Sequence, residues 1–119
     1  MSGPETTGAV QARFRFTGRA AHAAASPHLG RSALDAVELM NVGVNFLRQH
    51  LPPGVRIQVA VTDTGGSAPN VVQQNAAVLY TVRSPAVEHV MPVFERVRSV
   101  AQGAALMTET ELAIDIAPT

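Results

Sequence analysis

Val10-Gln11-Ala12-Arg13-Phe14-Arg15-Phe16-Thr17 alternates without a break: Ala12, Phe14 and Phe16 share one side, Gln11, Arg13, Arg15 and Thr17 the other. A period of two is the geometry of a β-strand, and one apolar side with one polar side marks a strand buried on a single face. The same pattern returns three times. Val55, Ile57, Val59 and Val61 alternate with Arg56, Gln58, Ala60 and Thr62; Val78, Tyr80 and Val82 share a face within 76–83; and Thr110, Leu112, Ile114 and Ile116 alternate with Glu109, Glu111, Ala113 and Asp115. Strands buried on both faces, as in a parallel sheet, would read as continuous apolar runs. These four predict an antiparallel sheet covered on one side.

Two helical stretches supply the cover. From residue 33 to about 50, Ala33, Ala36, Val37, Met40, Val44 and Leu47 recur at helical spacing, with Ser32 and Asp35 placed as a capping box. Leu39, Val42 and Phe46 form a second apolar stripe, turned by roughly 130° at 100° per residue. A helix with two such stripes must pack against two things, and the sheet is one of them. Leu51-Pro52-Pro53-Gly54 stops this helix. Ser84-Pro85 predicts the second helix start, and Val87, Val90, Met91, Phe94, Val97, Ala101 and Ala104 keep one face. Pro92 interrupts that face, which predicts a kink there or a regular helix beginning near it.

The order strand–helix–strand–strand–helix–strand, joined by right-handed crossovers, gives an α+β, ferredoxin-like two-layer sandwich (βαββαβ). Its four-stranded antiparallel sheet carries two helices on one face. The first and fourth strands become neighbours, so Arg13 and Arg15 are expected to face Glu111 and Asp115. Both chain ends then emerge at one edge, which suits a domain inserted in another. Residues 9–117 form this domain; residues 1–8 read as a linker or cloning remnant.

Composition narrows the function. Nine arginines, with no lysine, balance nine acidic residues, so no basic field marks a nucleic-acid or anionic-membrane partner. Cysteine is absent, which excludes disulfide and thiol chemistry. No apolar run reaches the roughly 20 residues of a membrane span, and the amino end has no signal-peptide pattern, so a soluble, cytoplasmic protein is expected. His22, His28, His50 and His89 are dispersed, and no metal site or phosphate loop can be assembled from the chain. Serine, histidine and aspartate occur, but nothing places them as a triad.

Two connections are unusual. One is Gly18-Arg19-Ala20-Ala21-His22-Ala23-Ala24-Ala25-Ser26-Pro27-His28-Leu29-Gly30-Arg31; the other is Thr64-Gly65-Gly66-Ser67-Ala68-Pro69-Asn70-Val71-Val72-Gln73. Small residues around His22 leave its imidazole accessible. Taken alone, His22 reads as a solvated or locally hydrogen-bonded loop residue, Asn70 as a turn residue and Arg83 as a surface charge.

In combination they resemble a family. Gly18-x-x-x-His22-Ala23, Pro27-x-x-Gly30, Ala33-Leu34, Gly65-Gly66, Asn70-Val71-Val72 and Arg83 are similar, in order and spacing, to the lid-domain signature of the dizinc aminoacylase and carboxypeptidase family (bacterial exopeptidases). The stretches 28–40 and 103–108 look most like its p-aminobenzoyl-glutamate hydrolase branch, as does Gln73 where most members carry proline. The resemblance implies a dimerisation or lid domain that forms a homodimer. His22 would reach in trans into the partner's active site and donate to the oxyanion. Asn70 and Arg83 would bind the carboxylate of the substrate's amino-acid part, with Gly65 and Gly66 giving close backbone approach. It also implies two zinc or similar divalent ions in a separate catalytic domain outside this chain, an amide substrate like p-aminobenzoyl-glutamate, and no activity from this fragment alone. His28, His50 and His89 stay structural or solvated. The stripe of Leu39, Val42 and Phe46, or an exposed edge strand, would supply the dimer interface.

Two other classes compete. Ferredoxin-like sandwiches also serve as regulatory modules that bind small molecules. An RNA-binding sheet would need aromatics on its open face, where this sequence places Arg, Gln, Thr and Glu.

Overall fold

A computed structural model describes residues 8–117 of the chain. The expected linker lies outside the described residues except for Gly8, which opens the first strand. The elements are β1 (Gly8–Thr17), α1 (Ala33–Leu47), β2 (Arg56–Asp63), β3 (Asn75–Ser84), α2 (Val90–Thr108) and β4 (Glu111–Ala117). The sheet order is β2-β3-β1-β4, with every neighbouring pair antiparallel. This is the ferredoxin-like α+β sandwich that the alternation predicts.

The core lies between sheet and helices. Ala12, Phe14 and Phe16 of β1 and Val78, Tyr80 and Val82 of β3 are buried beneath Met40 and Val44 of α1 and Phe94 and Val97 of α2. Phe14 sits at its centre, edge-on to Tyr80 at 5.9 Å and 6.1 Å from Phe94. Full burial of one such side chain contributes about 1.5–3 kcal/mol, so a core of valines and a few aromatics suffices. Gly43 lets the helices close: a Cβ there would stand 2.6 Å from a Val100 methyl.

Ser32 caps α1 by accepting from the Asp35 amide at 3.1 Å. Its own hydroxyl donates to Gln73 Oε1 at 2.9 Å, so the cap is tied to the second long loop.

Several expectations need correction. Ser84 ends β3 instead of starting α2; its Oγ accepts from the Ala86 amide and closes a turn. A short 3-10 turn at Val87–His89 intervenes, and α2 begins at Val90, so the expectation of a regular helix starting near Pro92 holds. Proline in the first helical turn removes an amide that has no intrahelical partner, so it carries no penalty there. Arg15 does pair with Asp115, at 2.6 Å, but across the diagonal, because Arg13 is the residue directly opposite Asp115. Glu111 stands opposite Thr17, not opposite an arginine.

In β2 only Ile57 of the apolar side is buried within the strand; Val59 and Val61 are 45% and 46% exposed. β2 is an edge strand with nothing beyond it among the described residues. The outer stripe of α1 is exposed as well, and Phe46, 67% exposed, is the one aromatic outside the core among the described residues. No helix of the described residues is long and apolar enough to cross a membrane.

Candidate functional site

Loops 18–32 and 64–74 leave the same end of the sheet and are sewn together by main-chain bonds. His22 and Val71 form an isolated antiparallel bridge; the Ala23 amide donates to the Asn70 carbonyl at 2.9 Å, and the Val72 amide to the Ala21 carbonyl at 2.9 Å. Gly18 and Ala33 anchor the ends of the first loop, donating to the Gln74 and Gln73 carbonyls at 2.7 and 2.8 Å. The second loop starts with Asp63, whose carboxylate accepts from the Gly65 amide at 2.9 Å. Gly65 (φ +89°) and Gly66 (φ +116°) both take conformations that L side chains avoid. A cleft beside them is lined by Ala20, Asp63, Gly65, Gly66, Val71 and Asn75.

His22 is exposed at this junction. Its Nδ1 accepts from the Ala25 amide at 3.1 Å and the Ala24 amide at 3.3 Å. Its carbonyl accepts from Ser26 at 2.9 Å. The ring is therefore held by its own turn while one side stays open. Asn70 is exposed next to it, so the structure brings together four predicted residues: His22, Asn70, Gly65 and Gly66.

Arg83 is not among them. It lies at the opposite end of β3, eight positions beyond Asn75, which at strand rise is roughly 26 Å away. Its cross-strand neighbours are Ala9 on β1 and Arg56 on β2. Two arginines directly opposite one another repel, and neither is in an ion pair among the described residues. Alternation gives Arg56 only as a polar-side residue of the second strand. The register of β2 against β3, which no single strand reveals, makes it Arg83's neighbour.

His28 and His50 are exposed and use their carbonyls, which accept from Arg31 and Arg96. His89 is partly buried, with Nδ1 unpaired among the described residues. The described histidines and carboxylates form no group of three able to hold a metal ion. The open sheet face carries Gln11, Arg13, Arg15 and Thr81 and no aromatic among the described residues.

The sequence places this ferredoxin-like sandwich, with two sewn loops at one end and an exposed edge strand, in a class. The chain belongs to the peptidase dimerisation domain family, whose profile matches residues 5–108. It is 54% identical over 110 residues to a p-aminobenzoyl-glutamate hydrolase polypeptide of Escherichia coli (strain K12), covering 92% of this chain and 23% of that protein. It is 31% identical over 94 residues to Xaa-Arg dipeptidase of Mus musculus, covering 79% of this chain and 22% of that protein. An aminobenzoyl-glutamate utilization protein from Klebsiella pneumoniae superposes with a TM-score of 0.78 at 27% identity, over 95% of this chain and 30% of that one. The chain thus spans less than a quarter of the length of these two curated relatives.

Proposed function

We propose that this domain joins two copies of a longer zinc-dependent amidohydrolase and lends His22 to the partner's active site. The substrate is an amide of an amino acid, of the kind named by the p-aminobenzoyl-glutamate hydrolase relative. Hydrolysis of an amide builds negative charge on the carbonyl oxygen, and an imidazole N–H positioned in advance stabilises that charge. Two zinc ions held outside these residues would supply the activated water. A cytoplasmic location belongs to the same reading.

The observation that carries it is the placement of His22: exposed, anchored by main-chain bonds, and at the end of the sheet farthest from Gly8 and Ala117. A protein of the relatives' length continues beyond those two residues, and Arg83 stands beside them. The distance between His22 and Arg83 supports a division of labour. His22 and Asn70 serve the partner's site, while Arg83 binds the substrate carboxylate in the site of its own chain. Arg83 is suited to this by its planar fork and its lack of an acidic partner among the described residues. The exposed edge of β2, with Val59 and Val61, and the outer stripe of α1 supply the apolar dimer surface.

The test uses the full-length enzyme. His22→Ala lowers turnover by about 100-fold or more, as loss of an oxyanion donor does. Mixing it with a variant lacking a metal ligand restores activity in the mixed dimer. Absence of rescue would place His22 in the site of its own subunit.

A further inference from the structure

We infer that the main-chain amides of Ala24 and Ala25 fix the tautomer of His22, presetting the outward nitrogen as the hydrogen-bond donor. This deepens the reading of His22 as an oxyanion donor and rests on it. The four amides after His22 are all engaged: Ala23 donates to Asn70 in the other loop, Ala24 and Ala25 to His22 Nδ1, and Ser26 to the His22 carbonyl.

A backbone amide can only donate, so Nδ1 must present its lone pair to both. In the neutral ring the proton then sits on Nε2, which lies on the far side of the imidazole from the turn. The ring cannot flip to the alternative. Rotation by 180° would turn a C–H toward the two amides, and the other tautomer would set an N–H against them.

The chemistry at the outward atom depends on this. An oxyanion needs a donor; the opposite tautomer would offer it a lone pair. A carboxylate or carbonyl behind the ring, as behind many metal-ligating histidines, would fix an Nδ1–H and leave Nε2 with only a lone pair. Here the second nitrogen is held by donors, which selects Nε2–H without adding a negative charge. Ala24 and Ala25 are positioning residues through their backbones, and small side chains leave the turn able to close.

Histidine-selective ¹⁵N labelling of this chain tests the inference, with His22 assigned by comparison with His22→Gln. At a pH where the ring is neutral, His22 should show a pyrrole-type Nε2 and a pyridine-type Nδ1. His28 and His50 are exposed and without ring hydrogen bonds among the described residues, so in the same spectrum they should give tautomer-averaged signals. Ala25→Pro removes the closer amide, and His22 should shift toward the values of His28 and His50. Averaged His22 signals in the unmodified chain, or a pyrrole-type Nδ1, would overturn the tautomer assignment, whether or not the proline variant folds. The mixing experiment above reports separately on the trans role, so the two can fail independently.

Discussion

Gly18 and Arg31 touch through their backbones: a Cβ on Gly18 would lie 1.9 Å from the Arg31 carbonyl oxygen. That carbonyl also accepts from the Arg19 amide at 2.8 Å, and the Arg31 amide returns a bond to the Arg19 carbonyl at 2.8 Å. The loop carrying His22 is therefore pinched shut at its base by a contact that only glycine permits. Gly18→Ala is expected to destabilise the domain by about 1–3 kcal/mol, the usual range for forcing extra atoms into a packed site. Urea unfolding reads this as a lower midpoint at unchanged slope. An unaltered midpoint would mean that the pinch is not needed.

Tyr80 makes a pH prediction. Burial pushes its phenol up to about 12, with the Arg48 charge opposing the rise, and its hydroxyl donates to Asn41 Oδ1. Below pH 10 the phenol keeps its proton in both folded and unfolded chains, and its contribution is fully present. Between 10 and 12 the unfolded chain releases the proton while the folded one holds it, so stability falls as pH rises. Tyr80→Phe should flatten this alkaline loss, measured by urea midpoints from pH 9 to 11.5. A slope as steep as the unmodified chain's would assign the loss to other groups.

The fold was legible because each strand declares its faces locally. Phe14 and Phe16 against Arg13 and Arg15 is enough to orient β1, and the repeated pattern orients the sheet. The two loops were less legible: local pattern reads His22 and Asn70 as loop and turn residues, and their adjacency rests on main-chain bonds between loops far apart in sequence. What sequence could not show was long-range register. The resemblance gives Arg83 and Asn70 one task, yet a whole strand separates them within the chain, and Arg83's cross-strand neighbour Arg56 comes from β2. Ser84-Pro85 has the right residues for a helix start, but Ser84 still pairs with Gly8 as the last residue of β3, and a 3-10 turn beside Gly8 precedes α2. The exposure of Val59 and Val61 was hidden for the same reason: alternation reveals which side a residue faces, not whether anything covers that side.

The uncovered edge gives a third prediction. An edge strand presents unpaired backbone groups, and Val59 and Val61 add apolar surface alongside them. Val59→Lys with Val61→Lys should yield a monomer by light scattering. Both side chains are nearly half exposed, so monomer folding should change by no more than about 0.5 kcal/mol. A variant that remains dimeric would move the interface away from β2.

The distance between His22 and Arg83 yields a sharper test in the full-length enzyme. Suppose each active site takes His22 from the partner and Arg83 from its own chain. His22→Ala and Arg83→Ala enzymes are each impaired at both sites. In a mixed dimer, the site on the His22→Ala chain has its own intact Arg83 and receives the intact His22 of the Arg83→Ala chain, so it is complete. The other site lacks both. With random pairing in a two-fold dimer, half the dimers are mixed and one site in each works, so the mixture recovers about a quarter of wild-type activity. If both residues came from the partner, each site of the mixed dimer would lack one of them. The same holds if both came from the same chain as the site. Either arrangement leaves the mixture as impaired as its components, so recovery toward a quarter occurs only when the length of β3 divides the two residues between two active sites.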